Sequence, residues 1–193
     1  MKALSLWQPY ASAIALGIKT FETRTWSTNY RGELAIHAAK TRVGWQDCEP
    51  EFLRELARRQ YASTHAPLAG AFFPDKALAP EFPREADFPH GAIVAIVEIV
   101  DCIRMTSDFI EAQSILERLA GDWRVGRYAW KFSECRVVDP PIFVRGAQAL
   151  FEVDFGPTNH SPARANLPTL FDEVTTSPRL RRGSDGIVRT HTG

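Results

Sequence analysis

The chain has 193 residues, 45% of them hydrophobic and 11% aromatic, with 23 Lys and Arg balancing 23 Asp and Glu. That is material for one domain with a real core plus a tail, and a net charge of zero excludes a chain that holds nucleic acid by bulk attraction alone. Cys48, Cys102 and Cys135 are odd in number, far apart and without a Cys-x-x-Cys pair, which excludes a disulfide scaffold and a cysteine-based zinc site. The charge is uneven: within residues 1–45, Lys2, Lys19, Arg24, Arg31, Lys40 and Arg42 face only Glu22 and Glu33. A basic face on a neutral protein suits a nucleotide or RNA ligand.

Leu4-Ser5-Leu6 starts a short apolar strand that leads into Trp7-Gln8-Pro9-Tyr10. A helix over 11–16 follows, with Pro9 in its first turn and Gly17 ending it. Residues 20–26 read as a second strand. Alternation puts Thr20, Glu22, Arg24 and Trp26 on one face and Phe21, Thr23 and Thr25 on the other. Same-face neighbours then lie about 6.5 Å apart, so a carboxylate, a guanidinium and an indole form a row suited to a flat, polar partner. The alternative is an exposed Glu22–Arg24 pair of little energetic value.

After the Arg31-Gly32 turn, 33–38 is a strand with Leu34, Ile36 and Ala38 toward the core and His37 on the opposite face, as a site residue or a satisfied structural one. Lys40 and Arg42 follow it and can reach phosphates or simply aid solubility. Residues 47–60 carry an amphipathic helical stripe of Phe52, Leu53, Leu56 and Ala57, with Arg54, Arg58 and Arg59 as a solvated face. Five prolines make 62–90 a long irregular insertion. Gly91–Arg104 is apolar on both faces and predicts a central strand, in which Glu98 must be paired, Arg24 and Lys19 being candidates, or sit wet at a rim.

A helix over 107–119 precedes the aromatic face Tyr128, Trp130 and Phe132, mostly core, with one ring able to stack on a base at a barrel mouth. Strands at 137–144, bulged or at an edge because of Pro140-Pro141, and at 148–155 complete the domain. Residues 156–193, rich in Pro, Ser, Thr and Arg, predict a flexible tail. Its apolar cluster, Leu167–Phe171, is a candidate for weak peptide docking. Met1-Lys2 leads straight into the first strand without a secretory leader, and the apolar run 92–100 is too short for a bilayer. A soluble, cytoplasmic protein with no membrane contact is expected.

Gln8-Pro9-Tyr10, Gly17-x-Lys19-x-x-Glu22-x-Arg24, Trp26 and Arg31-Gly32 together resemble the ASCH (activating signal cointegrator homology) domain. Residues 126–130 (Gly-Arg-Tyr-Ala-Trp) and 140–146 (Pro-Pro-Ile-Phe-Val-Arg-Gly) add to the resemblance, which covers about 3–155. It implies an α+β, mainly β domain over 1–155, a small barrel of the PUA-like superfamily with flanking helices. It also implies RNA or nucleotide binding through an unpaired base or modified nucleoside. In such a cleft Trp26, Tyr10 or Trp130 stacks on the base and Gln8 and Glu22 read its edge. Lys19, Arg31 and Lys40 hold phosphate, with Arg24 and His37 alongside.

The alternative is a metal-independent hydrolase. Some ASCH-like proteins remove the acetyl group of N4-acetylcytidine with a lysine matching Lys19 and a threonine three residues later. Here that position is Glu22, so Glu22 would serve as a base for water, with Arg24 and Glu98 supporting. Ribonuclease chemistry on Lys19, Glu22, Arg24 and His37 is the other form of this reading. No metal-ligand spacing and no Gly-rich phosphate loop is present, so no cofactor is expected.

Overall fold

The computed structural model describes residues 1–42, 44–65 and 80–154. Six strands form one curled mixed sheet, a half-barrel: β1 (Lys2–Leu6), β2 (Phe21–Arg24), β3 (Gly32–Ala38), β4 (Ala92–Arg104), β5 (Tyr128–Phe143) and β6 (Leu150–Glu152), in the order β2-β5-β4-β3-β1-β6. Only β1 and β3 run parallel, which requires a crossover; α1 (Tyr10–Ala15) and β2 supply it. Leu16 closes α1 and Gly17 follows at φ +69°, a conformation that costs a residue without Cβ little.

β4 is central because Val, Ile and Ala fill both its faces: Ile93, Val94, Ala95, Val97 and Ile99 are all buried. The main core joins Val94, Ala95, Val97 and Ile99 to Leu4, Leu6, Ile14, Leu34, Ile36, Trp130 and Phe132, while Ile93 packs with Ala3, Ala35 and Val153. β5 is one strand rather than two. Its pairing with β4 jumps from Ala95–Val137 to Ile93–Ile142, so residues 138–141 bulge out around the two prolines, as Pro140-Pro141 demands. The last strand is shorter than expected and pairs antiparallel with β1.

Two helical expectations change. α2 runs Pro50–His65, with Pro50 at its first position, where a missing N–H costs nothing. Phe52, Leu56 and Ala57 are its buried stripe. The single helix expected over 107–119 is two, α3 (Ser107–Glu111) and α4 (Ile115–Leu119). Ser114, mid-helix in the sequence reading, turns its hydroxyl back to accept from Glu117 N at 3.1 Å and caps a new helix instead. Residues 85–87 form a 3-10 turn within the segment read as irregular, and the remainder of that segment from 66 to 79 lies outside the described residues, as does Leu167–Phe171.

His37 is a buried structural residue. Its Nε2 lies 3.2 Å from the Val144 carbonyl, which can only accept, so Nε2 carries the proton and Nδ1 accepts from Ser5 Oγ at 3.0 Å. Burial pushes its pKa below the ordinary 6.5, opposed only in part by the bond to Val144. Above pH 6.5 both folded and unfolded chains hold His37 neutral. As the pH falls below that value the unfolded chain takes up a proton that the folded one refuses, so stability is lost until the lower folded pKa is reached. The melting temperature is therefore expected to fall from pH 7 to pH 5, and His37→Gln should flatten that fall. An unchanged acid slope in the variant would remove His37 from the account.

Candidate functional site

The curl of the sheet brings its β2 edge toward β1, and the seam is stitched where Arg24 Nη2 donates to the Ser5 carbonyl at 3.2 Å. A cavity of about 660 Å³ opens at this seam. The end of β1 and its continuation (Ser5, Leu6, Trp7) form one wall and Tyr10 of α1 another; β2 supplies Glu22, Thr23 and Arg24, and Lys19 sits just before it. Residues 120–122, Arg127 and the 147–149 segment close the remaining side.

Lys19, Glu22 and Arg24 form the charged floor. Lys19 is only 2% exposed. Its Nζ donates to the Ala120 carbonyl at 2.7 Å and lies 3.4 Å from Glu22 Oε2. On the other side Arg24 Nε lies 3.0 Å from Glu22 Oε1. That contact is an ion pair without an aligned hydrogen bond, because Arg24 Nε is buried with no acceptor in bonding geometry. Alternation along β2 produces this arrangement, with Phe21 on the opposite face packed edge-on against Phe109 and Trp123, both at 5.8 Å.

Gly121 lets the floor form. A Cβ there would stand 3.0 Å from Thr23 Oγ1 and 3.2 Å from Lys19 Nζ. Thr23 also lines the cavity, since β2 is an edge strand and the cavity wraps around it; its hydroxyl accepts from Asp122 N at 3.0 Å. Thr20 takes no part, its hydroxyl being spent on Glu117 at 2.9 Å. At the rim Arg127 Nη1 lies 3.4 Å from Asp122 Oδ2. Lys19, Arg24 and Arg127 against Glu22 and Asp122 leave the lining with one net positive charge. The Arg124 guanidinium beside Asp122 holds that carboxyl below the usual range, so the rim acid stays ionised. Tyr10 stacks on Phe52 at 5.8 Å with its hydroxyl 3.8 Å from Cys48 Sγ, and burial pushes its phenol up to about 12, so it stays neutral.

Of the residues singled out in the sequence, Tyr10, Lys19, Glu22 and Arg24 meet here. The others lie elsewhere. Gln8 is buried, its amide donating to Ser12 Oγ and to the Pro89 carbonyl, both at 2.8 Å, while its oxygen accepts from Ser12 N. Trp26, beyond the end of β2, turns edge-on to Trp130 at 4.5 Å, and Trp130 is fully buried. Neither ring lines the cavity. Arg31 is held by Asp101 at 3.2 Å and by the carbonyls of Thr28 and Tyr30. His37 is enclosed as described, and Lys40 is exposed one residue beyond the cavity-lining Ala39. Glu98 does not pair with Arg24 or Lys19, because Glu22 takes both; its contact is Ser133 Oγ at 3.5 Å on the neighbouring strand.

Trp7, Thr23, Asp122, Arg127 and Gln148 enter the lining without having been singled out. Trp7 had the clearest signal. It directly precedes Gln8-Pro9 at the end of the first apolar strand, and the structure leaves it 57% exposed. Among the described residues no cluster of His, Cys, Asp and Glu could hold a metal ion, and no helix is long and apolar enough to cross a membrane.

A model of the ASCH domain family matches residues 4–142. The chain is 34% identical over 100 residues to activating signal cointegrator 1 of Mus musculus and 33% identical over 100 residues to that of Homo sapiens. Each match takes in 52% of this chain but only 14% of the relative, so the chain spans a small part of the curated relatives it matches.

Proposed function

Because the chain belongs to the ASCH domain family, which supports an RNA-binding domain at the coarse level, we propose that the seam cavity takes an unpaired base or a modified nucleoside of single-stranded RNA. The observation that carries this reading is the pairing of a charged floor, buried Lys19 and Glu22 with half-buried Arg24, with an exposed indole, Trp7, on the same cavity. A splayed base needs a polar edge to read and a ring to stack on, and the paired, stacked bases of a duplex present neither an unpaired edge nor a free face to the site. A volume of about 660 Å³ is in the range of small-ligand pockets and admits a base with its sugar. The single positive excess suits a phosphate without demanding the many contacts of a duplex binder.

Binding of fluorescently labelled single-stranded RNA, with the same sequence as a duplex for comparison, tests this. The single strand should bind more tightly. Stacking on an aromatic contributes about 1–3 kcal/mol per base, so Trp7→Ala should weaken binding by roughly 5- to 150-fold. Its melting temperature should not move, since the ring is mostly in water. Equal affinity for the duplex, or full affinity in Trp7→Ala, would count against the reading.

One observation favours hydrolysis as a second reading: the Glu22 carboxylate lines an open cavity beside the Lys19 ammonium. Glu22 would take the proton of a water attacking the acetyl carbonyl while Lys19 donates to the developing oxyanion; the C–N bond then breaks, and Glu22 returns the proton to the leaving amine. Release of acetate from N4-acetylcytidine, or cleavage of the RNA, lost in Glu22→Gln, is the result that this reading requires.

A further inference from the structure

We infer that the base held at the seam is guanine, read along its Watson–Crick edge by Lys19, Glu22 and Arg24; the inference rests on the base-binding reading above. The Glu22 side chain is 10% exposed and is neutralised from both sides by Lys19 and Arg24. Yet among the described residues no hydrogen bond is directed at either of its oxygens: the two contacts are charge contacts at 3.4 Å and 3.0 Å. A carboxylate so enclosed ordinarily accepts aligned hydrogen bonds. The residue lines the cavity, so a ligand there can supply them.

The flanking cations also keep donors in hand. Lys19 spends one N–H on Ala120 and has three. Arg24, its side chain 26% exposed, spends one Nη2 N–H on the Ser5 carbonyl and keeps its other Nη hydrogens. From one end to the other the floor therefore offers donor, acceptor, acceptor, donor.

A ligand that matches must be planar, neutral and carry two adjacent N–H donors beside a carbonyl. Guanine does, with N2–H₂ and N1–H on the carboxylate and O6 on a flanking cation. Adenine and cytosine can each set an amino N–H on one carboxylate oxygen and a ring nitrogen on the cation beside it, but this leaves the second carboxylate oxygen unpaired, two bonds against guanine's three. Uracil has one N–H between two carbonyls, so one carbonyl would face an acceptor. A guanidinium of a peptide arginine has the two donors but is repelled by Lys19 and Arg24.

Calorimetric binding of guanosine, inosine, adenosine, cytidine and uridine 5′-monophosphates to the full chain tests this, because ribose and phosphate are common to all and only the base differs. Guanosine monophosphate should bind most tightly. Inosine monophosphate lacks only the 2-amino group, and its affinity should be lower by about 5- to 150-fold, the discrimination of one bidentate base contact. The other three should be weaker again. Glu22→Gln, with its melting temperature checked, should bring guanosine down to the level of inosine. Five equal affinities, or cytidine or uridine tightest, would overturn the guanine inference and leave base binding standing. No binding of any of the five, together with no binding of single-stranded RNA, would overturn both.

Discussion

Lys19→Ala is expected to lower the melting temperature by roughly 6–20 °C and to remove ligand binding. The side chain is almost entirely out of water, an arrangement that would be costly for an ammonium left alone. It persists because the Ala120 carbonyl at 2.7 Å and the Glu22 carboxylate at 3.4 Å replace its hydration. Truncation removes both partnerships at once. Glu22 is left with Arg24 as its sole counter-charge among the described residues, and the Ala120 carbonyl loses its donor. Breaking a buried pair by removing one member costs about 3–5 kcal/mol, and for a domain of this size each kcal/mol moves the midpoint by about 2–4 °C. Thermal melts by circular dichroism read the effect. A second variant separates packing from charge: Lys19→Met keeps most of the side chain's volume without the ammonium. A midpoint as low as that of Lys19→Ala assigns the loss to charge and hydrogen bonding, a recovered one assigns it to packing, and neither variant should bind ligand. A shift of less than about 2 °C in Lys19→Ala would mean that water, not Glu22, compensates the ammonium.

The floor was the legible part of the site, for a simple reason. Lys19, Glu22 and Arg24 lie within six consecutive residues, and a period of two puts the last two on one face of one strand whatever the rest of the chain does. Trp26 shows where that logic ends. β2 stops at Arg24, so the alternation no longer governs residue 26, and its ring goes to Trp130 instead of continuing the row. His37 marks a different limit. Alternation assigns its side of the sheet but says nothing of Val144, 107 residues later, whose carbonyl closes over it. Trp7, Asp122, Arg127 and Gln148 reach the cavity from three separate segments that meet only because the sheet curls. No local pattern encodes that meeting. For Glu98 the sequence leaves open a pairing with Arg24 or Lys19 and a wet place at a rim; Glu22 takes both cations and Glu98 is half-buried beside Ser133, a choice that spacing alone could not make.

Glu117 carries the other large expected effect, and it lies outside the cavity. It is buried, and among the described residues no cation stands within ion-pair reach. Three hydrogen bonds stand in for one: Oε2 accepts from Thr20 N at 2.8 Å and from Thr20 Oγ1 at 2.9 Å, and Oε1 accepts from Phe21 N at 3.1 Å. The carboxylate thus clamps the start of β2 to α4. Two links follow from that clamp. Ala120, the residue after α4, offers the carbonyl that holds Lys19, and the Glu117 carbonyl itself accepts from Trp123 Nε1 at 2.8 Å, fixing the 120–123 segment that walls the cavity.

Glu117→Gln replaces one acceptor oxygen with a donor that must face a backbone N–H. The loss should be about 2–4 kcal/mol, counting one charge-assisted bond removed and one buried N–H left without an acceptor. The melting temperature should fall by roughly 4–16 °C. Because the wall that holds Lys19 shifts with it, affinity for single-stranded RNA should drop about tenfold, equivalent to about 1.4 kcal/mol. Glu111→Gln, on the exposed end of α3, should change neither quantity. If Glu117→Gln melts with the parent protein while binding falls, the clamp acts on the site without holding the fold; if both stay unchanged, α4 and β2 are held together by packing, and Lys19 is placed by Glu22 alone.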